Sequence, residues 1–379
     1  MRIAVNTRLL LKDKLEGIGW FTAQTLERIV RAHPEHEFIF FFDRPYSQTF
    51  VFAPNVTPVV VHPQARHPIL FNIWFEWRLP YFLKKYKADL FLTPDGFSSL
   101  RTKVPTCLVI HDLAFEHYPE HFKLSHRLYW RYYSPLFARH ATRIATVSTF
   151  SKEDIARQYK ISQDKIDVVY NGAHKEYRPL SWEEKEATKT KYTDGCEYFV
   201  FAGALHPRKN IVNLLKAFIA FKKKQRSNMK LVVVGRLAWK YEEVEEMRQN
   251  MPFKEDVEWV GYMGVEELSK VMGAAYAMVY ASLFEGFGIP ILEAYQCNVP
   301  AIASNTSSMP EVAGDAALLV DPRDVDDIAH KMEMIYKDEV LRAKLISHTQ
   351  EQVKKFTWEL SAQRLWDCMM KCYADAQKK

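Results

Sequence analysis

The stretch Glu285-Gly286-Phe287-Gly288-Ile289-Pro290-Ile291-Leu292-Glu293 combines two carboxylates, two glycines and a proline suited to a helix start. The run Ala277-Met278-Val279-Tyr280-Ala281 before it is short, apolar and bounded by Ser282, as expected of a buried strand. Pro290 fits the first position of a helix, so Glu285 falls on a strand-to-helix loop. Gly286 and Gly288 let the backbone approach a ligand closely, and the free N–H groups that open the helix form an anion site suited to a diphosphate. Glu293 lies about one turn into that helix. A carboxylate there can accept both hydrogens of a vicinal diol such as ribose, which leaves Glu285 for the sugar end of the same ligand. The segment equally suits a Gly-rich turn with two carboxylates beside a helix dipole, and alone it does not choose between the two.

Other residues bear on that choice. Arg208 and Lys209 stand between the strand-like Phe199-Val200-Phe201 and the amphipathic run from Ile211 to Phe218, which puts two cations on a strand-to-helix loop. Fixed cations stabilise the charge that develops on a departing diphosphate. Metal-binding enzymes of this chemistry often carry an Asp-x-Asp pair; no obvious one lies in a suitable loop, so no metal and no other cofactor is expected. His111-Asp112 directly follows the strand Cys107 to Ile110, at the carboxyl end where ligands bind in α/β sheets; Asp112 would orient the imidazole or the next loop. Gly17-Ile18-Gly19 precedes a helix expected from Trp20 and suits either phosphate contact through backbone N–H groups or a plain tight turn. It lacks the full G-x-G-x-x-G pattern, which disfavours a dinucleotide oxidoreductase.

The block from Tyr280 to Pro322, including Val299-Pro300-Ala301-Ile302-Ala303-Ser304 and Pro310-Glu311-Val312-Ala313-Gly314-Asp315, closely resembles retaining glycosyltransferases of family 4. The resemblance extends upstream through Phe201-Ala202-Gly203-Ala204-Leu205-His206-Pro207-Arg208-Lys209-Asn210 and Thr146-Val147-Ser148-Thr149-Phe150-Ser151-Lys152, nearly the whole chain. It implies the GT-B fold, α/β with two facing Rossmann-like doubly wound domains and an interdomain cleft. It also implies a nucleotide-sugar donor, with His111 at the reaction centre; the residues expected to bind that donor are Gly17, Gly19, Arg208, Lys209, Glu285, Gly286, Phe287, Gly288 and Glu293. Glu311 matches a family segment near the nucleotide, although a carboxylate at a helix start explains it without function. Two positions depart from the family pattern. Ala204 stands where many relatives place an arginine, which shifts phosphate binding toward Arg208 and leaves the donor open between GDP-mannose and UDP-hexoses. Asn298 stands where glycine is common, and Asn tolerates the left-handed conformation that such a turn needs.

The elements that must hold these residues alternate along a chain of 379 residues, long enough for two cores. Apolar strands and helical segments, among them one from Ile73 to Lys87, alternate from Arg2 to Gly172, then again from Tyr198, as βαβ units of parallel sheets do. Lys175 to Gly195 is polar and poor in strand signals and is expected to connect the domains, 1–174 and 175–359. The helical stretch from Ser361 to Ala374 is expected, by resemblance, to return to the first domain. No apolar run is long enough to cross a bilayer, the N-terminus enters a strand directly, and five scattered cysteines suggest reduced thiols, so a cytoplasmic enzyme is expected.

The net charge of +6 is uneven: residues 1–170 hold 23 Lys+Arg against 16 Asp+Glu, or +7, and the remainder −1. His121 to Arg143 contains Lys123, Arg127, Arg131, Arg139 and Arg143 with no acid, interleaved with aromatics. That stretch suits a glycan or lipid-linked acceptor of anionic character, peripheral contact with an anionic membrane, or a nucleic acid; a solvated face covering a packed one, with arginine stems over apolar surface, is the commoner origin of such a pattern and is favoured here. The rival functions are a GT-B-type sugar-nucleotide epimerase and a basic protein that binds membrane or nucleic acid, although no nucleic-acid partner is expected.

Overall fold

The computed structural model describes residues 1–12, 15–236 and 242–378. The chain forms two compact units, Met1–Asn171 with Trp358–Lys379, and Gly172–Thr357.

The first unit is built on a seven-stranded sheet of β1 (Arg2–Asn6), β2 (Glu37–Phe42), β3 (Val56–Val60), β4 (Leu90–Thr93), β5 (Thr106–Val109), β6 (Arg143–Thr146) and β7 (Ile166–Val168). Every pairing is parallel, in the order β3-β2-β1-β4-β5-β6-β7. Parallel sheets are covered on both faces, so their strands read as continuous apolar runs. Phe38 to Phe42 illustrates this, with all five side chains buried. Pro58 is tolerated because β3 is an edge strand paired only to β2.

The helix Trp358–Gln377 closes this unit. Trp366 stacks on His33 at 3.7 Å, Arg28 bonds Glu359 at 2.9 Å, and Arg143 bonds Asp375 at 2.7 Å. All five cysteines are free thiols; Cys107 and Cys368 meet in this packing layer with sulfurs 3.6 Å apart. No helix among the described residues is long and apolar enough to cross a membrane.

The second unit has six parallel strands, β8 (Tyr198–Ala202), β9 (Lys230–Val234), β10 (Val257–Gly261), β11 (Ala277–Tyr280), β12 (Ala301–Ser304) and β13 (Ala317–Val320), ordered β10-β9-β8-β11-β12-β13. In each sheet the strand order reverses once, between β1 and β4 and between β8 and β11. Connections leave in opposite directions on the two sides of such a point, opening a crevice beyond the strand ends where ligands bind.

Three expectations about elements need correction. Lys175 to Gly195 is not a bare connection, because Trp182–Thr193 is a helix. Its polar surface hides the helical period, but Ser181 and Glu184 form a capping box that satisfies the first free N–H groups. The helix expected from Trp20 starts at Gly17. The helical segment expected from Ile73 begins at Pro68 and passes through a π turn, Ile73–Arg78, before Leu79–Lys85. Pro80 lacks an N–H and its ring crowds the preceding turn, and the π turn stands directly before the helix that Pro80 opens.

Candidate functional site

In the second unit the loops after β8 and β11 are built to meet. Gly203 leaves β8 with φ +153° and donates its N–H to Val234 O at 2.9 Å. Gly235, at the end of β9, has φ +154°, and a Cβ there would lie 1.8 Å from Gly203 O. Only glycine permits that crossing. The chain then makes a tight turn, Pro207–Lys209, whose Arg208 N–H donates to the His206 ring at 3.3 Å. Asn210, at φ +60°, donates to Ala281 O at 2.9 Å and Pro322 O at 2.6 Å, and Leu283 N–H donates to Arg208 O at 2.8 Å. These bonds fix the cation-bearing turn against the loop that carries Glu285.

Arg208, Lys209 and Glu285 form one cluster. Arg208 Nη1 donates to Glu285 Oε2 at 2.9 Å and to Phe284 O at 2.8 Å; Lys209 Nζ donates to Glu285 Oε1 at 2.6 Å and to the Tyr280 hydroxyl. Side-chain exposure falls from 21% at Arg208 and 13% at Lys209 to 9% at Glu285, so the cations form the outer side of the cluster. Burial alone would raise the Glu285 carboxyl, but Arg208 and Lys209 outweigh it and hold it at about 2. The cluster thus contains a permanent carboxylate shared by two cations.

The backbone of the glycine-rich loop is pinned from below. Glu285 N–H donates to Ser307 Oγ at 3.1 Å, and Ser308 Oγ donates to Glu285 O at 2.9 Å and Phe287 O at 3.0 Å. Gly288, at φ +101°, caps the helix Ile289–Gln296, and a Cβ there would approach Met309 Sδ to 3.1 Å. Phe287 is buried with its ring 5.5 Å from Phe356, so it anchors the loop while Gly286 and Gly288 flank it. Glu293 sits in the second turn of the helix. The protein around it pushes its carboxyl up to about 7, with hydrogen bonding from the buried Tyr177 working against that rise. Glu311 lies on the short helix Met309–Ala313 that follows the two serines. Asn298 takes the left-handed conformation, φ +57°.

The remaining sequence candidates lie in the first unit. His111 follows β5 and donates Nε2–H to Pro94 O at 2.8 Å; a carbonyl can only accept, so Nδ1 carries the lone pair of the neutral ring. Burial lowers the His111 pKa and keeps the ring neutral, and Phe21 packs edge-on to it at 5.0 Å. Asp112 does not orient the imidazole through a bond; its Oδ1 accepts from Ala114 N–H at 2.9 Å and starts the next turn. Gly17 and Gly19 lie in the first turn of the helix Gly17–Ala32. A Cβ on Gly19 would meet Leu15 Cδ2 at 2.9 Å and Leu9 O at 3.1 Å, so that position is tightly packed, whereas Gly17 faces open space.

The acid-free stretch also resolves into parts. Arg143 pairs with Asp167 at 2.9 Å and with Asp375, Arg139 donates to Tyr159 O, and Arg131 pairs with Glu116 at 3.5 Å. Those three cations serve internal structure. Sequence reasoning missed Tyr280, Tyr177, Ser307, Ser308 and Gly235 as site residues. It also missed a pair at the first unit's reversal point, where Arg8 Nε meets Asp95 Oδ2 at 2.5 Å.

Comparison with known proteins identifies the family and the fold. A family model described as glycosyl transferases group 1 matches residues 183–352, and one described as glycosyltransferase family 4 matches residues 15–177. The O-antigen chain mannosyltransferase B of Escherichia coli is 28% identical over 92% of this chain and 94% of its own length. The O-antigen chain mannosyltransferase RfbU of Salmonella typhimurium is 29% identical over 72% of each chain. Among solved structures, WaaG, a glycosyltransferase involved in lipopolysaccharide biosynthesis, superposes with a TM-score of 0.76 at 14% identity over 97% of this chain and 99% of its own. Anabaena HepE in complex with UDP-glucose superposes at 0.74 and 17% identity, covering 98% of this chain and all (100%) of its own. The chain belongs to the GT4-type glycosyltransferases, with the two Rossmann-like domains of the GT-B fold.

Proposed function

We propose that this enzyme moves a mannosyl group from GDP-mannose to a glycan or lipid-linked acceptor in surface polysaccharide synthesis, with retention at C1 and no metal. The two-cation, one-carboxylate cluster at the reversal point of the second sheet carries the nucleotide-sugar assignment. The mannosyltransferase names of the two bacterial relatives support the sugar. We place the enzyme in the cytoplasm, with peripheral contact to an anionic membrane.

In this reading Arg208 and Lys209 hold the diphosphate and supply the positive charge that a divalent ion would otherwise bring. Glu293 accepts the ribose diol. Glu285 and His111 contact the sugar, His111 through Nδ1 because Nε2 is committed to Pro94. The acceptor hydroxyl oxygen bonds to C1 on the face from which the phosphate leaves. The C1–O bond to the β-phosphate breaks with its electron pair on oxygen, and that oxygen takes the acceptor proton. The products are the glycoside and a nucleoside diphosphate.

Calorimetry after chelation with EDTA, comparing GDP-mannose with UDP-glucose, tests donor and metal together. Binding of GDP-mannose that survives chelation is expected; total loss restored by Mn²⁺ or Mg²⁺ refutes the metal-free site. NMR of the product tests retention through the anomeric configuration. Release of free sugar without acceptor would instead identify the epimerase chemistry.

A further inference from the structure

The helical run 68–85 and the helix Leu124–His140 of the first unit carry exposed apolar residues that the nucleotide-sugar site does not use. On the first, Ile69, Ile73, Trp77 and Tyr81 are all exposed at a constant spacing of four. In an ideal α-helix a four-residue step drifts by about 40°, so such a stripe would wind around the helix. The π turn Ile73–Arg78 holds more residues per turn and offsets that drift, which keeps the stripe on one side. On the second helix, Leu124, Leu128 and Tyr132 repeat the spacing and are likewise exposed. The two helices are joined on their inner sides, where buried Phe71 packs on Tyr129 at 5.6 Å. Seven large apolar or aromatic side chains in two four-spaced rows exceed the scattered single exposures normal for a protein surface.

Charge identifies what covers this face. Residues 62–87 hold five Lys+Arg and one acid, and residues 121–143 hold five and none. The single acid, Glu76, is turned inward, with its carboxylate accepting from Leu100 N–H at 3.1 Å. Arg66, Lys84 and Lys85 are exposed and make no ion pair among the described residues, while Arg101 lays its guanidinium over the Trp77 ring at 3.8 Å. Aliphatic residues for the acyl boundary, Trp and Tyr for the headgroup level and surrounding cations together match an anionic bilayer. A second copy of the chain would bring the same cations against themselves.

We propose that this two-helix face docks the enzyme on an anionic lipid bilayer, with Trp77 and Leu128 in the apolar contact and Lys84 and Lys85 in the charged rim. The surface gives a location to the membrane contact in the proposed function, but its test needs neither donor nor acceptor. Arg131 is a weak probe because it already pairs with Glu116.

Flotation of the full chain with vesicles of mixed phosphatidylglycerol and phosphatidylcholine, and with phosphatidylcholine alone, reads the partition directly. The wild type is expected to bind the mixed vesicles at low salt, less at physiological salt, and the neutral ones weakly. Lys84→Glu/Lys85→Glu should lower the partition by about 30-fold or more, since each surface cation removed weakens binding several-fold. Trp77→Ser/Leu128→Ser should lower it at least about tenfold. All four positions are exposed, so the melting temperature and nucleotide-sugar affinity should stay unchanged. Absence of binding to mixed vesicles at low salt overturns the proposal, as does binding indifferent to both double variants. A wild-type dimer that Trp77→Ser/Leu128→Ser converts to monomer overturns it in favour of a second copy. Vesicle binding by a protein that takes up no nucleotide sugar would sink the donor assignment and leave this surface standing.

Discussion

Both sheets place a cation–carboxylate contact beyond the strands where their order reverses, yet the two contacts are built for different ends. In the first unit Arg8 and Asp95 are 8% and 1% exposed and matched one to one. The Arg8 guanidinium lies 4.6 Å from the Phe97 ring centre, 5.3 Å from Phe71 and 5.7 Å from Phe75. Asp95 also accepts from Phe97 N–H and from Thr93 Oγ1, which itself takes a bond from Asn6. That crevice is filled by a neutral, aromatic-sealed pair. In the second unit two cations share one carboxylate, and the cations are its more exposed members. Topology supplies the crevice in both; in the second the cations are the accessible members, and the proposed function uses them to hold the diphosphate.

The largest effect should come from breaking the sealed pair. Asp95→Ala leaves the Arg8 charge buried without its partner, which costs about 3–5 kcal/mol. Replacing both, Arg8→Met with Asp95→Leu, should restore most of that stability, because the aromatic surroundings already suit apolar groups. Urea denaturation of the three proteins measures this. If the double variant loses donor affinity while keeping its stability, the first crevice binds ligand too and the contrast collapses.

Next in size is turnover at the second crevice. Glu285→Gln removes a carboxylate but leaves both cations that the proposed function assigns to the diphosphate. We expect kcat to fall on the order of 100-fold while affinity for free nucleoside diphosphate holds or rises. A parallel loss of diphosphate affinity would show that Glu285 binds the nucleotide and does not act at the sugar.

Glu293→Gln should be smaller and opposite in kind, weakening free nucleoside diphosphate by about 1–3 kcal/mol, as for loss of charged hydrogen bonds to the ribose. The two glutamates also predict opposite pH slopes. Glu285 is held at about 2, below its ordinary 4.5, so its contribution is present above 4.5 and is lost as pH falls toward 2. Glu293 is raised to about 7, so between 4.5 and 7 the folded form holds a proton that the unfolded chain has lost. Stability should therefore decline with rising pH across that window by on the order of 2 kcal/mol, and Glu293→Gln should flatten the slope. Denaturation curves across pH 3 to 8 would check both; a slope unchanged by Glu293→Gln assigns it to another group.

What the sequence revealed follows from how local each cause is. Runs such as Phe38 to Phe42 announce buried parallel strands because both of their faces are covered. Charges on loops stand out as well, which is why Arg208, Lys209 and Glu285 were legible. Gly235 was not, since its need for glycine is set by the Gly203 carbonyl on a neighbouring strand. Arg8 and Asp95 are 87 residues apart, and nothing local marks them as partners. Tyr280 reads as one more apolar strand residue until its hydroxyl is seen beside Lys209 and Glu285. The helix Trp182–Thr193 exposes Trp182 and lacks a regular apolar stripe, so its signal was only the pair Ser181 and Glu184 at capping-box spacing.

The smallest expected change refines the contrast from the first unit's side. Gly17 opens the helix Gly17–Ala32 with no atom within 4 Å of a Cβ built on it. Alanine loses less backbone freedom on folding than glycine, so Gly17→Ala should stabilise the protein by about 0.5–1 kcal/mol. Gly19→Ala should destabilise it instead, because its methyl would press on Leu15 and Leu9 O. If the Gly17 N–H also meets the donor phosphates, the added methyl stands where they approach, and calorimetry should show GDP-mannose binding several-fold more weakly to the more stable protein. Unchanged affinity would mean that Gly17 serves the helix start alone. The diphosphate would then be held by the second unit's cluster, with no help from the first unit's opening turn.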